Sequence, residues 1–209
     1  HGERHHDAPV GAPRAAAIHR GGLVQLPGDA AEELHHQEDE EGIDGEELRR
    51  TYSICSAPGD THLRIAIKRH DEGLYSRWAH ATLKPGMTLD AMPPQGRFVL
   101  PPTDGAPRHL LFIAAGAGIT PIYAMIAQAL AHEPHPDITL IYGNRSMEDA
   151  IFRAALEDLK DHHLGRLTVV HVLSREETES PLLSGRITPD KLAALLPGLV
   201  SIKAIDHAF

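Results

Sequence analysis

The ten residues from Phe112 to Pro121, FIAAGAGITP, constrain this chain more than any other stretch. His109-Leu110-Leu111-Phe112-Ile113 reads as a short apolar strand buried on both faces. Gly116 and Gly118 then let the backbone bend tightly and approach a ligand with no side chain in the way. Thr120 is a good N-cap and Pro121 suits the first helical position, so a helix is predicted to begin there. A diphosphate would find a site at the positive end of that helix. The motif is a shortened GxG without the lysine of a phosphate-binding P-loop, so a plain strand-to-helix turn of an α/β domain satisfies it equally well.

Composition narrows the classes. With 209 residues the chain can bury one large core or two small ones. A net charge of −9 argues against a nucleic-acid surface. No apolar run reaches membrane-span length and the first residues carry no signal-peptide pattern, so a cytoplasmic protein with no membrane partner is expected. One cysteine, Cys55, excludes internal disulfides and any cysteine-ligated iron–sulfur or zinc cluster within this chain. The 16 histidines include the pairs His5-His6, His35-His36 and His162-His163, but none stands at metal-ligand spacing on a helix, and no metal is expected.

Three unequal parts follow one another. Residues 1–48 hold little apolar material beyond a strand candidate at Leu23-Val24-Gln25-Leu26, and are expected to be irregular or disordered. Residues 49–102 show short β-type runs at Thr51–Cys55 and Leu63–Lys68, separated by the turn Ala57-Pro58-Gly59-Asp60. A helix around Ser76–Thr82 follows, then a turn at Lys84-Pro85-Gly86 leading into a strand at Leu89, closed by Pro93-Pro94-Gln95-Gly96. This pattern predicts part of an antiparallel barrel, followed by a linker at 101–107. In the third part, 107–209, strands at 109–114, 138–142 and 167–173 alternate with helices at 120–132, 147–161 and 187–196. Ile151, Phe152, Ala155, Leu156 and Leu159 share one face of the middle helix. Such alternation predicts a doubly wound parallel sheet.

A second motif, Arg50-Thr51-Tyr52-Ser53-Ile54-Cys55-Ser56, offers a guanidinium for a phosphate, a phenol for stacking and small hydroxyls for a ring. On a strand Arg50 and Tyr52 would share a face. Alone it reads more simply as an edge strand with a surface arginine. Followed by the glycine turn about sixty residues on, it resembles the ferredoxin–NADP⁺ reductase superfamily, whose flavin signature is Arg-x-Tyr-Ser. Within that superfamily the motifs resemble the reductase components of multicomponent oxygenases, those of phenylacetyl-CoA epoxygenation foremost. The resemblance covers about residues 43–209.

What it implies is a partial antiparallel flavin-binding barrel followed by a pyridine-nucleotide α/β domain lacking its C-terminal end. The cofactors implied are FAD and NADPH, preferred to NADH, and the partner a ferredoxin-type domain or an oxygenase component. Arg50 would pair with the flavin diphosphate, Tyr52 would pack on the isoalloxazine, and Ser53 would sit near its reactive nitrogen. Ile67 and Lys68 match the strand bordering the flavin. Gly73, Leu74, Tyr75 and Ser76 match the loop and helix start that hold the flavin diphosphate through backbone N–H groups. Gly116, Gly118 and Thr120 would line the nicotinamide–diphosphate path, with Ser53 and Thr120 nearest the reacting atoms. Arg145, Ser174 and Arg175, at strand ends, suit a 2′-phosphate; solvated loop charge is the other reading of both arginines.

The chain also departs from that pattern. Pro27-Gly28 leads into Asp29-Ala30-Ala31-Glu32-Glu33-Leu34-His35-His36, which has no β alternation. After Phe209 the family continues with a Cys-Gly-Pro turn, and many relatives append a four-cysteine ferredoxin domain. The expectation is therefore a fragment of a flavin-dependent oxidoreductase. The alternatives are a nucleotide-binding module that no longer retains flavin and a partner-docking fragment with neither ligand.

Overall fold

The computed structural model describes residues 17–19, 23–27 and 48–209 apart from Thr88. Two compact units divide between Gly96 and Arg97. The greater part of residues 1–48, with the segment after Gly28, lies outside the described residues.

The second unit is a parallel sheet with helices. Its strands are β4 (His109–Ala115), β5 (Asp137–Asn144), β6 (Leu167–Leu173) and β7 (His207–Ala208), in the order β6-β5-β4-β7. The apolar run of β4 explains why the sheet has two covered faces. Leu110, Phe112 and Ala114 point one way, into a core shared with Ile138, Leu140 and Tyr142 of β5. Helix α2 (Ile119–His132) closes that face with Ile119, Ile122, Met125 and Ile126, and α3 (Arg153–His162) adds Leu156. Leu111 points the other way, to Ile141, Val172 and Leu195 of α4 (Pro189–Leu199). Each such side chain contributes about 1.5–3 kcal/mol when fully buried.

Residues 97–108, part of which reads as a linker in the sequence, belong to this unit. Leu100 packs on the core, and Arg108 forms a fork to Glu133 after α2, with Nε–Oε2 2.8 Å and Nη2–Oε1 2.6 Å. Both side chains are over 90% buried, so loss of either partner would strand a buried charge, at a cost of about 3–5 kcal/mol. Phe209 extends the β7 edge by exchanging main-chain hydrogen bonds with Leu111 and Ile113, and its ring stacks on Phe112 at 5.0 Å.

Two helix starts differ from the sequence expectation. Helix α2 begins at Ile119 after a 3₁₀ turn, Gly116–Gly118, so Thr120 is not the N-cap but lies inside the first turn. Its Oγ1 donates to the Ala117 carbonyl at 2.6 Å instead of accepting an N–H. Pro121 fits at the third helical position because that N–H has no intrahelical acceptor in any case. Helix α3 begins at Arg153, not 147, because Phe152 takes a left-handed φ of 61°. The stack of Phe152 on Tyr123, centroids 4.6 Å apart, offsets that strain. Ile151 and Phe152 still reach the core, from the loop before the helix.

In the first unit β3 (His62–Ala66) is flanked by β2 (Leu23–Pro27), antiparallel, with β1 (Ala17–His19) beyond it. The Leu23 strand is expected from sequence; β1, with only three residues, carries too short a pattern to read. The expected strand Thr51–Cys55 is reduced to a single bridge, Ile54 to Ile65, because Cys55 N–H to Arg64 O is the next contact and pairing stops there. Thus Arg50 and Tyr52 share no strand face. The turn at Ala57–Asp60 forms as expected, closed by Asp60 N–H to Ala57 O with Gly59 at φ 89°. Helix α1 (Leu74–Thr82) packs Ala79 against Ile67 and Leu83, and the turn at Lys84–Met87 is present, but no strand follows at Leu89 among the described residues.

His171 supplies a pH test of the second unit. It pairs across the sheet with Tyr142, its Nδ1 is buried with no partner among the described residues, and burial lowers its pKa. Glu157 raises that pKa, whereas Arg153 and Lys160 lower it further. The folded state therefore favours the neutral ring, the unfolded chain takes up the proton first, and stability falls as pH drops below about 6.5. Thermal unfolding should show a steeper loss of Tm between about pH 6.5 and 5 in the native chain than in His171→Leu; parallel curves would contradict this.

Candidate functional site

Polar groups of the second unit gather where β4, β5 and β6 end. Gly116 holds φ 51°, a conformation that costs a side-chain-bearing residue about 1–2 kcal/mol. Gly118 differs: its φ of −62° suits any residue, and a Cβ there would meet nothing within 4 Å. Neither conformation nor packing demands that glycine, so what it preserves is open space beside the turn. The N–H groups of Gly116 and Ala117 have no acceptor among the described residues.

Tyr142 fixes this turn from beneath. Its hydroxyl donates to Gly116 O at 3.1 Å, with Ile151 O at 3.3 Å as a second acceptor, and burial pushes its pKa up to about 12. The phenol thus stays a donor at any physiological pH. The sequence names Tyr142 only as part of a strand; a lone phenol near the end of an otherwise apolar run is the signal that could have marked it. Two residues on, the Asn144 amide is buried close to the Tyr142 hydroxyl, where it opposes the rise of the phenol pKa.

The ends of β5 and β6 carry the arginines. Main-chain pairing continues past both strands, Ser174 N–H to Asn144 O at 2.9 Å and Arg175 N–H to Arg145 O at 2.8 Å. Arg145 and Arg175 are therefore neighbours across the sheet edge, with Ser174 beside them, and all three are exposed. Neither guanidinium has a carboxylate partner among the described residues. Glu176, which sequence reasoning passed over, accepts the Met147 N–H at 2.8 Å.

The first unit groups a different set. Tyr52 is half-buried 5.9 Å from Tyr75, which lies 5.5 Å from Trp78, and together they border Ile67. Burial raises the Tyr52 pKa, and the nearby Arg50 guanidinium opposes the rise. Arg50 is exposed, with Nη1 donating to Arg49 O at 2.7 Å; Ser53 and Lys68 are exposed, and Ile67 is buried. The spacing of Gly73 and Ser76 has an internal reason. Ser76 Oγ accepts the His70 N–H at 3.1 Å, and a Cβ on Gly73 would stand 2.6 Å from that oxygen. The lock opens α1 with the N–H groups of Leu74, Tyr75 and Ser76 lacking acceptors among the described residues. Cys55 takes no part: it is buried, donates to Arg64 O, and burial lifts its pKa to about 11.

A parallel sheet of this kind binds ligands outside the carboxyl ends of its strands, where the glycine turn and the two arginines stand. Residues 112–205 match the model of the oxidoreductase NAD-binding domain, and the fold is ferredoxin–NADP⁺ reductase-like. It is similar to one of the subunits of the 1,2-phenylacetyl-CoA epoxidase of Escherichia coli (strain K12), with 44% identity over 80% of this chain and 47% of that protein. Among solved structures it is similar to the Amycolatopsis cytochrome P450 reductase GcoB, with TM-score 0.68 and 25% identity over 88% of this chain and 57% of that one. It also shares its fold with the flavohem-like FAD/NAD binding domain of nitric oxide dioxygenase from Vibrio cholerae, with TM-score 0.67 and 18% identity over 95% of this chain and 99% of that one. The chain spans about half the length of the curated relative it matches.

Gly118→Ala tests the open space. The substitution should leave Tm unchanged or raise stability by about 0.4–1 kcal/mol, while weakening nicotinamide-nucleotide binding about tenfold. Calorimetric titration beside thermal unfolding checks both, and unaltered affinity would show that the space is not used.

Proposed function

We propose that the chain is the FAD- and NADPH-binding part of a reductase that passes electrons to an oxygenase or a ferredoxin-type partner. The observation that carries the reading is the pairing of Arg145 with Arg175 beside Ser174, with neither guanidinium engaged by a carboxylate among the described residues. Two forked cations and a hydroxyl suit the 2′-phosphate that distinguishes NADPH from NADH. The residues on the diphosphate path fit the same ligand. Gly116 and Ala117 offer free N–H groups, and Gly118 leaves the approach open.

The first unit fits a flavin in its donor set. Leu74, Tyr75 and Ser76 present N–H groups at a helix start for a diphosphate, and Arg50 supplies an exposed cation. Tyr52 and Tyr75 provide aromatic surface for a planar ring, and both stay protonated because burial raises their pKa. FAD held there would take a hydride from the nicotinamide and release its two electrons singly. Hydride transfer of this kind requires none of the chain's own residues as an acid or base. The similarity to an epoxidase component and a P450 reductase supports an oxygenase as the acceptor. Among the described residues no helix is long and apolar enough to cross a membrane.

The purified chain, supplied with FAD, should show a bound-flavin absorption band that NADPH bleaches. Arg145→Ala and Arg175→Ala should each weaken NADPH about tenfold and leave NADH within about twofold. Protein that stays colourless with added FAD would remove the flavin half of the proposal, and equal losses for both nucleotides would remove the 2′-phosphate half.

A further inference from the structure

We propose that Glu176 is a specificity-determining residue of the nucleotide site, a carboxylate fixed beside Arg145 and Arg175 that limits their preference for a 2′-phosphorylated nucleotide. This rests on the nucleotide-binding reading above. Glu176 directly follows Arg175, and its Oε2 accepts the N–H of Met147, two residues beyond Arg145. The carboxylate therefore ties together the two loops that carry the arginines, at the place where Arg175 N–H meets Arg145 O. It does so without an ion pair to either guanidinium among the described residues. The hydrogen bond satisfies one oxygen but leaves the charge in place.

The segment carrying it is itself fastened to the rest of the unit. Gly185 N–H donates to Leu173 O, closing the loop 174–184 at its base. Thr178 Oγ1 lies 2.6 Å from Ser184 Oγ. Lys191 Nζ on α4 donates to the carbonyls of Pro181, Leu182 and Ser184. A 2′-phosphate entering here meets two positive charges and one fixed negative charge. A nucleotide with a free 2′-hydroxyl meets no such repulsion. One unit charge acting on a phosphate across a solvated loop width of roughly 7 Å alters affinity about threefold to fivefold.

Glu176→Gln isolates the charge, because the amide oxygen can still accept the Met147 N–H. Calorimetry on the full chain, with adenosine 2′,5′-bisphosphate and 5′-AMP as probes, reads the site without flavin or turnover. The variant should bind the bisphosphate about threefold to fivefold more tightly and 5′-AMP within about twofold of the native chain, and the gain should shrink as salt is raised. Unchanged bisphosphate affinity, or equal gains for both probes, overturns the proposal. Arg145→Ala separates the two levels. If it weakens the bisphosphate while Glu176→Gln alters nothing, only the role of Glu176 falls. If the native chain binds neither probe, the nucleotide reading falls and this inference with it.

Discussion

The hydrogen bonds that carry β5–β6 pairing past the strand ends fix the arginine half of the candidate site. Ser174 N–H donates to Asn144 O at the end of β5, and Arg175 N–H to Arg145 O in the loops beyond. They hold the main chains of two like-charged residues side by side, which electrostatics alone would oppose. Such an arrangement is stable in solvent, where the repulsion is screened, and becomes favourable when an anion arrives. The same bonds deliver Glu176 to Met147 and so set the local charge balance.

The neighbouring strand end is fixed by a different means. The β4 chain leaves the sheet through a left-handed Gly116, and the Tyr142 hydroxyl holds the carbonyl of that glycine from the core side. Because Tyr142 is itself locked by burial on β5, the turn inherits the rigidity of the sheet. Parallel strands bring their carboxyl ends to one edge, so the turn and the arginines share that edge without further instruction. Far from it, the buried Arg108–Glu133 fork fastens the entry to β4 onto the end of α2.

Much of the second unit was legible because its signals are local. The β4 run, the strand 167–173 and the helix over 120–132 follow directly from apolar periodicity. The errors fall where a long-range contact overrides a local preference. Thr120 and Pro121 look like a cap and a first position, yet the glycine turn continues as 3₁₀ structure and shifts the helix start to Ile119. Phe152 reads as a helix residue, but its stack on Tyr123 holds it left-handed outside α3. In the first unit Thr51–Cys55 has strand composition and only one bridge, since strand identity rests on partners that the segment itself does not encode. Arg145, Ser174 and Arg175 could be picked out by type and by position after apolar runs. Glu176 could not, because its role depends on a main-chain N–H 29 residues away.

The central claim is that one edge of the parallel sheet, from the Gly116 turn to the Arg175 loop, receives the pyridine nucleotide. Backbone amide NMR of the full chain titrated with NADPH tests it most directly. The account predicts saturable shifts at Gly116, Ala117, Gly118, Arg145, Ser174, Arg175 and Glu176. Shifts confined to the opposite edge, around Arg108, Asp137 and Arg166, or no saturable shift at all, would contradict it.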